Sequence, residues 1–293
     1  MKTNLYKVAG HLFRITFHTA EEIEDLLPSC TPFVCTEAKD SPLFEMTVTE
    51  SACTEAPHEE IGQFDCGGCN HGVYLMNDGG YQFVISNVNN VPCCRVRVNA
   101  DFSLATVHLL AEKREERAFG TNNALMIVYA FATSPHNTLL IHSSVIRNND
   151  KGYLFLGKSG TGKSTHTRLW LKHIPGSDLM NDDNPVVRVV GGKTFVYGSP
   201  WSGKTPCYRN IEAEAGAFVQ LEQKKQNEIR REDILHSFAH ILSSVSVMKW
   251  DKRVYNDICN TISEILSRTP VYHLGCLPDE EAARLSHQTV TSA

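Results

Sequence analysis

The chain has 293 residues, with 28 basic and 33 acidic side chains, a formal net charge of -5 and 42% hydrophobic residues. That is enough apolar material for a core without a partner, and the mixed charges offer no continuous basic stripe for a nucleic-acid backbone. No apolar run approaches the roughly 18 residues a membrane crossing needs, and the opening Met1-Lys2-Thr3-Asn4-Leu5-Tyr6 lacks the apolar centre of a signal peptide. The expected setting is therefore cytoplasmic, with neither nucleic acid nor a membrane as partner.

Short alternating runs at 12–17, 43–48, 72–76, 81–86, 95–98 and 104–109 predict strands. Asn77-Asp78-Gly79-Gly80 supplies turn chemistry between two of them, as a hairpin connection does. An antiparallel N-terminal sheet is expected, with Pro28, Pro32, Pro42 and Pro57 making 28–62 largely irregular. The ten cysteines are scattered, and Cys259 and Cys276 fall in ordinary helix or strand patterns, which suits reduced thiols. Cys66-Gly67-Gly68-Cys69 has the spacing of half a zinc knuckle, and Cys93-Cys94 would have to complete it. Adjacent cysteines are poor zinc ligands, because a tetrahedral site needs side chains diverging from separate backbone positions, and His71 is the only other nearby candidate. Reduced thiols in a hairpin region are the expectation.

Residues 115–133 change to helical spacing, with Ala124, Leu125, Ile127, Val128, Ala130 and Phe131 on one pattern. After Pro135, strand and helix patterns alternate: strands at 139–146 and 153–156, a helix at 163–173, then strands at 178–181 and 186–190. That is the order of an α/β nucleotide-binding core. Towards the end, 232–247, 255–266 and 279–285 read as helices and 270–274 as a strand, with 224–233 as a solvated helix start. Trp170 and Trp250 lie in helical patterns and read as packing residues. The expected division is a β-rich domain at 1–112, a connecting helix at 113–136 and a nucleotide-binding domain at 137–293.

The strongest motif is Gly157-Lys158-Ser159-Gly160-Thr161-Gly162-Lys163-Ser164, a G-x-x-x-x-G-K-S loop between an apolar strand and an amphipathic helix. Gly157, Gly160 and Gly162 allow backbone conformations in which successive N–H groups face phosphate oxygens at the positive end of a helix. Ser159, Thr161 and Thr165 complete the predicted phosphate cradle. Lys163, at an expected exposed helix start, reaches the terminal phosphates, and the Ser164 hydroxyl ligates Mg²⁺. Leu179-Met180-Asn181-Asp182-Asp183 is a strand ending in two carboxylates, suited to metal binding and to taking a proton from an attacking hydroxyl. Adjacent strand residues point to opposite sides, so the two need not share a job. His142, in an apolar strand, reads on its own as a satisfied core histidine.

Taken together, Ile141-His142-Ser143-Ser144, the glycine loop through Thr165, and Asn181-Asp182-Asp183 resemble the HPr kinase/phosphorylase-like catalytic domain, whose fold is akin to phosphoenolpyruvate carboxykinase. The resemblance spans about residues 139–190 and does not reach the N-terminal sheet. It implies that His142 faces the transferred phosphoryl group and that Asp182 and Asp183 supply a catalytic base and a metal-side contact, with Lys163 and Ser164 in their phosphate-loop roles. The E-x-R-G-x-G type signature of true HPr kinases is missing, which implies a shorter relative. In that region Gly198-Ser199-Pro200-Trp201-Ser202-Gly203-Lys204 resembles the loop of shorter kinase-like relatives, and Lys204 and Arg209 are expected to close over the phosphates. The hexameric relatives imply a homo-oligomer.

The expected fold is thus α/β within an α+β chain: a phosphate-loop core of HPr kinase/phosphoenolpyruvate carboxykinase type behind an N-terminal antiparallel β-rich domain. The expected function is an ATP- and Mg²⁺-dependent phosphotransferase acting on a hydroxyl of a protein, peptide or small molecule, with Asp182 as the metal carboxylate and either aspartate as the base. One alternative is an ATP-binding regulatory or assembly protein with little or no transfer. The other, a carboxykinase-type enzyme, needs an arginine-rich substrate pocket for which the sequence offers no motif.

Overall fold

The computed structural model describes residues 1–37, 40–66, 69–203 and 205–292, without the side chains of Asp65 and Cys66. Lys204 and the Cys66 thiol lie outside the described residues. The chain forms two units, Met1–Thr133 and Ser134–Ala293, and mixes helices with two sheets that share no strand.

In the first unit the strands are β1 (Lys2–Val8), β2 (His11–His18), β3 (Phe44–Thr49), β4 (Glu59–Cys66), β5 (Cys69–Leu75), β6 (Tyr81–Ser86), β7 (Pro92–Val98) and β8 (Leu104–Leu109), with a one-turn helix α1 (Ile23–Leu26) and the long helix α2 (Arg114–Ala132). They form one sheet in the order β1-β2-β3-β8-β7-β6-β5-β4. The antiparallel expectation is corrected here. β3 pairs parallel with both β2 and β8, because the connection from β2 crosses over and β4 to β8 then meander back to its other edge. Alternation is clean where one face is buried: Phe13, Ile15 and Phe17 of β2 meet Phe44, Met46 and Val48 of β3, and Phe13 stacks on Phe44 at 4.8 Å. α2 belongs to this unit. It covers β3, β6, β7 and β8, burying Ala124, Leu125, Val128 and Phe131. Gly120 permits the approach, since a Cβ there would stand 3.0 Å from Cys93 Cβ and 3.1 Å from Cys94 Sγ. Cys69, Cys93 and Cys94 are free thiols, and burial pushes the Cys94 thiol well above its ordinary range.

The second unit contains β9 (Thr138–Leu140), β10 (Ser143–Asn148), β11 (Lys151–Leu156), α3 (Lys163–His173), β12 (Asp178–Asp183), β13 (Val186–Val190), β14 (Lys193–Tyr197), β15 (Glu212–Gln223), β16 (Glu228–Arg231), α4 (Ile234–Leu242), α5 (Lys252–Leu266), β17 (Val271–Cys276) and α6 (Glu280–Thr291). β15 is the spine. One edge pairs parallel with β11; the other pairs first with β14, antiparallel, and then with β17, parallel. β10 and β12 continue the sheet beyond β11, β13 and β9 beyond β14, and β16 beyond β17. Tyr153, Phe155, Trp170, Val219, Leu221 and Leu274 form the core between this sheet and α3 and α6.

Several local expectations change. The single strand at 139–146 is two, because Ile141 N–H turns to the Pro185 carbonyl and His142 N–H to the Ser244 carbonyl, which sends β9 and β10 to separate places in the sheet. The helix expected at 232–247 shortens to α4. The solvated helix start at 224–233 contains strand β16, pulled into extended form by pairing with β17. Trp250 sits in the turn before α5, whereas Trp170 is fully buried. No helix among the described residues is long and apolar enough to cross a membrane.

Candidate active site

Three strand ends stand level at one edge of the second sheet. β10 runs antiparallel to both neighbours, with Ser144 opposite Phe155 of β11 and Asp182 of β12. The C-terminal ends of β11 and β12 therefore lie beside the start of β10. After β11 comes the glycine turn, before β10 comes His142, and β12 ends in Asp182 and Asp183. The carboxylates are not on the strand next to the turn, since β10 intervenes and β12 is the edge strand.

Gly157, Gly160 and Gly162 have φ of 145°, 82° and 109°, in the region that favours glycine. Gly162 is the N-cap of α3, so the turn leads straight into the helix. Thr161 folds it by donating from N–H and Oγ1 to the Lys158 carbonyl, at 3.1 and 2.6 Å. From the far end of β15, Gln223 Nε2 donates to the carbonyls of Gly160 and Thr161, both at 3.3 Å. Ser159, Gly160 and Thr165 face solvent and Ser164 is half-buried.

Lys163 is buried, at 9% exposure, contrary to the expected exposed helix start. The turn curls over it, and its ammonium donates to the Gly157 carbonyl at 2.7 Å and to His142 Nε2 at 3.0 Å. Burial lowers its pKa from the ordinary lysine value, while Asp183 and Asp182 pull it back up. An ammonium has no acceptor, so Nε2 of His142 carries the lone pair and the ring proton sits on Nδ1. Nδ1 lies 3.0 Å from Asp183 Oδ1. The result is a chain of polar contacts, Lys163 to His142 to Asp183. His142 is thus partly exposed, with Lys163 hydrogen-bonded at Nε2 and Asp183 close to Nδ1, and is not a core histidine.

The two aspartates differ. Asp182 is buried, and its Oδ1 accepts from Ser144 Oγ at 2.6 Å. Asp183 is half-buried; its Oδ1 lies 3.0 Å from His142 Nδ1, and its Oδ2 accepts from Asn184 Nδ2 at 2.9 Å. Asn181, fully buried, fixes the strand end: its Nδ2 donates to Ser199 Oγ and the Trp201 carbonyl, and its Oδ1 accepts from Asp183 N–H at 2.9 Å. A cavity of about 360 Å³ is lined by His142, Lys163, Ser164, Arg168, Asp182 and Asp183 together with the glycine turn. Arg209 is not there. It pairs with Asp178 at 2.7 Å, at the opposite end of β12.

Sequence reasoning missed Arg168, Ser144 and Gln223. Arg168 was findable, since it lies four residues after Ser164 on one helix face. Ser144 stands in the 141–144 motif with no role assigned to it there, and nothing local marks Gln223; both reach the site through sheet pairing. A second cavity of about 540 Å³ lies against the same turn, lined in part by Thr161, Leu169, Leu221 and Cys276.

No family model matches the chain, and none of the curated proteins does. Among solved structures, the Hpr(Ser) kinase/phosphatase from Coxiella burnetii aligns with 52% of this chain and 94% of its own length, at 12% identity and a TM-score of 0.31. So loose a superposition leaves any functional reading to rest on the geometry of the site.

Proposed function

We propose that the second unit is an ATP- and Mg²⁺-dependent phosphotransferase acting on a hydroxyl, with residues 157–164 as its phosphate loop. The observation that carries the reading is the gathering of the glycine turn, Lys163, Ser164, His142, Asp182 and Asp183 around one cavity. Glycine-supported N–H groups at the start of α3 bind the phosphates, and Lys163 exchanges backbone carbonyls for the terminal phosphate oxygens. Arg168 adds a second cation. The adjoining 540 Å³ cavity takes the nucleoside.

Ser164 and Asp182 are hard oxygen donors facing the same cavity and fit Mg²⁺; among the described residues only one Asp182 oxygen is engaged, by Ser144. When bound, the ion neutralises charge on the phosphates. Asp183 is the base. It takes the proton of the acceptor hydroxyl as that oxygen bonds to the γ-phosphorus and the bond to the β-phosphate oxygen breaks, releasing ADP. His142 orients Asp183 through Nδ1–H and joins it to Lys163. The acceptor is a hydroxyl of a protein, peptide or small molecule, and assembly as a homo-oligomer forms part of the proposal.

The test compares Asp183→Asn with Asp182→Asn, using transfer from γ-labelled ATP to fractionated cell extract alongside calorimetric nucleotide affinity. Asp183→Asn is expected to lower transfer about 10²- to 10⁴-fold with little change in ATP affinity. Asp182→Asn is expected to weaken the Mg²⁺ dependence of binding. No transfer by the wild type with any fraction, with both variants shifting affinity alone, would replace the kinase by an ATP-binding regulatory protein.

A further inference from the structure

On the β16–β17 side of the second sheet, far along the chain from the glycine turn, four elements bring imidazoles and carboxylates together. Glu232 follows β16, His240 lies in the last turn of α4, His273 is in β17 and Glu222 is near the end of β15. Ligand atoms of Glu232, His240 and His273 all lie within 4.8 Å of one another. The rings of His240 and His273 meet edge to face, with centroids 6.1 Å apart. The Glu232 side chain is 4% exposed and that of His273 14%, so two of these side chains are withdrawn from solvent, while His240 is half-buried.

His273 has a defined orientation. Its Nε2 lies 2.8 Å from Glu222 Oε2 and its Nδ1 lies 3.1 Å from Glu232 Oε1. The Arg230 guanidinium, which can only donate, approaches both Nδ1, at 3.3 Å, and Glu232 Oε1, at 2.8 Å. As an acceptor from Arg230, Nδ1 carries the lone pair and Nε2–H donates to Glu222. Nδ1 and Oε1 then face each other as acceptors at 3.1 Å, a contact that a shared cation relieves, whether a proton, a guanidinium or a metal ion. Arg230 supplies the guanidinium from a side chain that is 57% exposed, and so free to swing into solvent.

We propose that Glu232, His240 and His273 Nδ1 form a binding site for a zinc-class divalent ion, with Glu222 orienting His273 through Nε2–H. Two imidazoles and one carboxylate suit Zn²⁺ or Co²⁺ and not Mg²⁺, and three protein ligands leave a fourth position for water. A histidine ligand whose second nitrogen donates to a carboxylate is the usual outer-shell arrangement, fixing tautomer and ring direction. Tetrahedral binding at about 2.0–2.1 Å places ligand atoms roughly 3.4 Å apart, so closing from the observed spread takes side-chain adjustment of about 1.4 Å at most. The ion displaces Arg230 and ties α4 to β16, an edge strand of four residues. The site is independent of the proposed phosphotransfer.

The test uses chelator-stripped full-length chain without nucleotide, titrated with Co²⁺ and Zn²⁺, comparing wild type with His240→Ala, Glu232→Gln and Arg230→Met. The chain also carries free cysteines, and thiolates as a class take up these ions, so the readouts are the difference in stoichiometry between variants and visible cobalt bands without thiolate charge transfer. Wild type is expected to take up one ion more per chain than His240→Ala or Glu232→Gln. Zn²⁺ should raise the melting midpoint of wild type but not of these two, all three having similar midpoints in chelator. Arg230→Met should bind at least as tightly as wild type, its competing cation gone. Equal uptake by wild type and His240→Ala, or no uptake by Arg230→Met, would overturn the proposal and leave an ion-pair cluster bridged by Arg230.

Discussion

His166 offers a quantitative test of the core beneath the glycine turn. It is buried on the inner face of α3, edge-on to Phe155 at 4.8 Å, and its Nε2 accepts from Trp170 Nε1 at 3.2 Å. Burial lowers its pKa from 6.5 to about 4. The sign follows from linkage. Between those values the unfolded chain binds the proton and the folded chain does not, so stability is full above the unfolded pKa and is lost as pH falls towards the folded one. A tenfold difference in proton affinity between the two states corresponds to about 1.4 kcal/mol, so the whole loss is about 3 kcal/mol, of which about 2 kcal/mol falls between pH 7 and pH 5. All three tryptophans, Trp170, Trp201 and Trp250, lie in the second unit, so their fluorescence during urea unfolding reports on that unit alone. Carboxylates held low, such as Asp178, tilt the curve the same way, which makes the comparison with His166→Gln decisive. The variant is less stable at pH 7, but its loss between pH 7 and pH 5 should be smaller than that of wild type by about 2 kcal/mol. Parallel pH profiles for the two proteins would refute the assignment of a neutral buried imidazole.

Lys163→Ala should reduce ATP affinity at least about tenfold by calorimetry, because a charge-assisted contact contributes about 1.5–3 kcal/mol; unchanged affinity would sink the phosphate-loop assignment. Gly157→Ala should cost about 1–3 kcal/mol in tryptophan-monitored unfolding, since φ there is 145° and a Cβ would stand 3.2 Å from Thr161. Gly191→Ala, at φ 57° with nothing within 4 Å of the added Cβ, serves as the comparison and should cost less. Equal losses would remove the argument from backbone strain.

How much of this protein was legible in its residues depended on how far each signal reached along the chain. β3 and β8 were readable because one buried face imposes a period of two, and the turn at 77–80 because Asp78 Oδ1 accepts from the Gly80 N–H two residues on. The helix at 163–173 and the glycine turn before it were equally local, with spacing and φ demands confined to eight residues. β1 and β4 escaped notice as edge strands with polar faces. β15 escaped for a different reason: Glu-Ala-Glu-Ala-Gly-Ala is poor strand sequence, and pairing with β11, β14 and β17 overrides that propensity. Tertiary structure alone decided that 139–146 breaks in two, that Lys163 is enclosed against His142, and that Arg209 turns to Asp178. It also brought Ser144 to Asp182 and Gln223 to the glycine turn. Each of these joins residues far apart in sequence, and no local period carries that information, because sheet register is set by which strands pair and not by either strand alone.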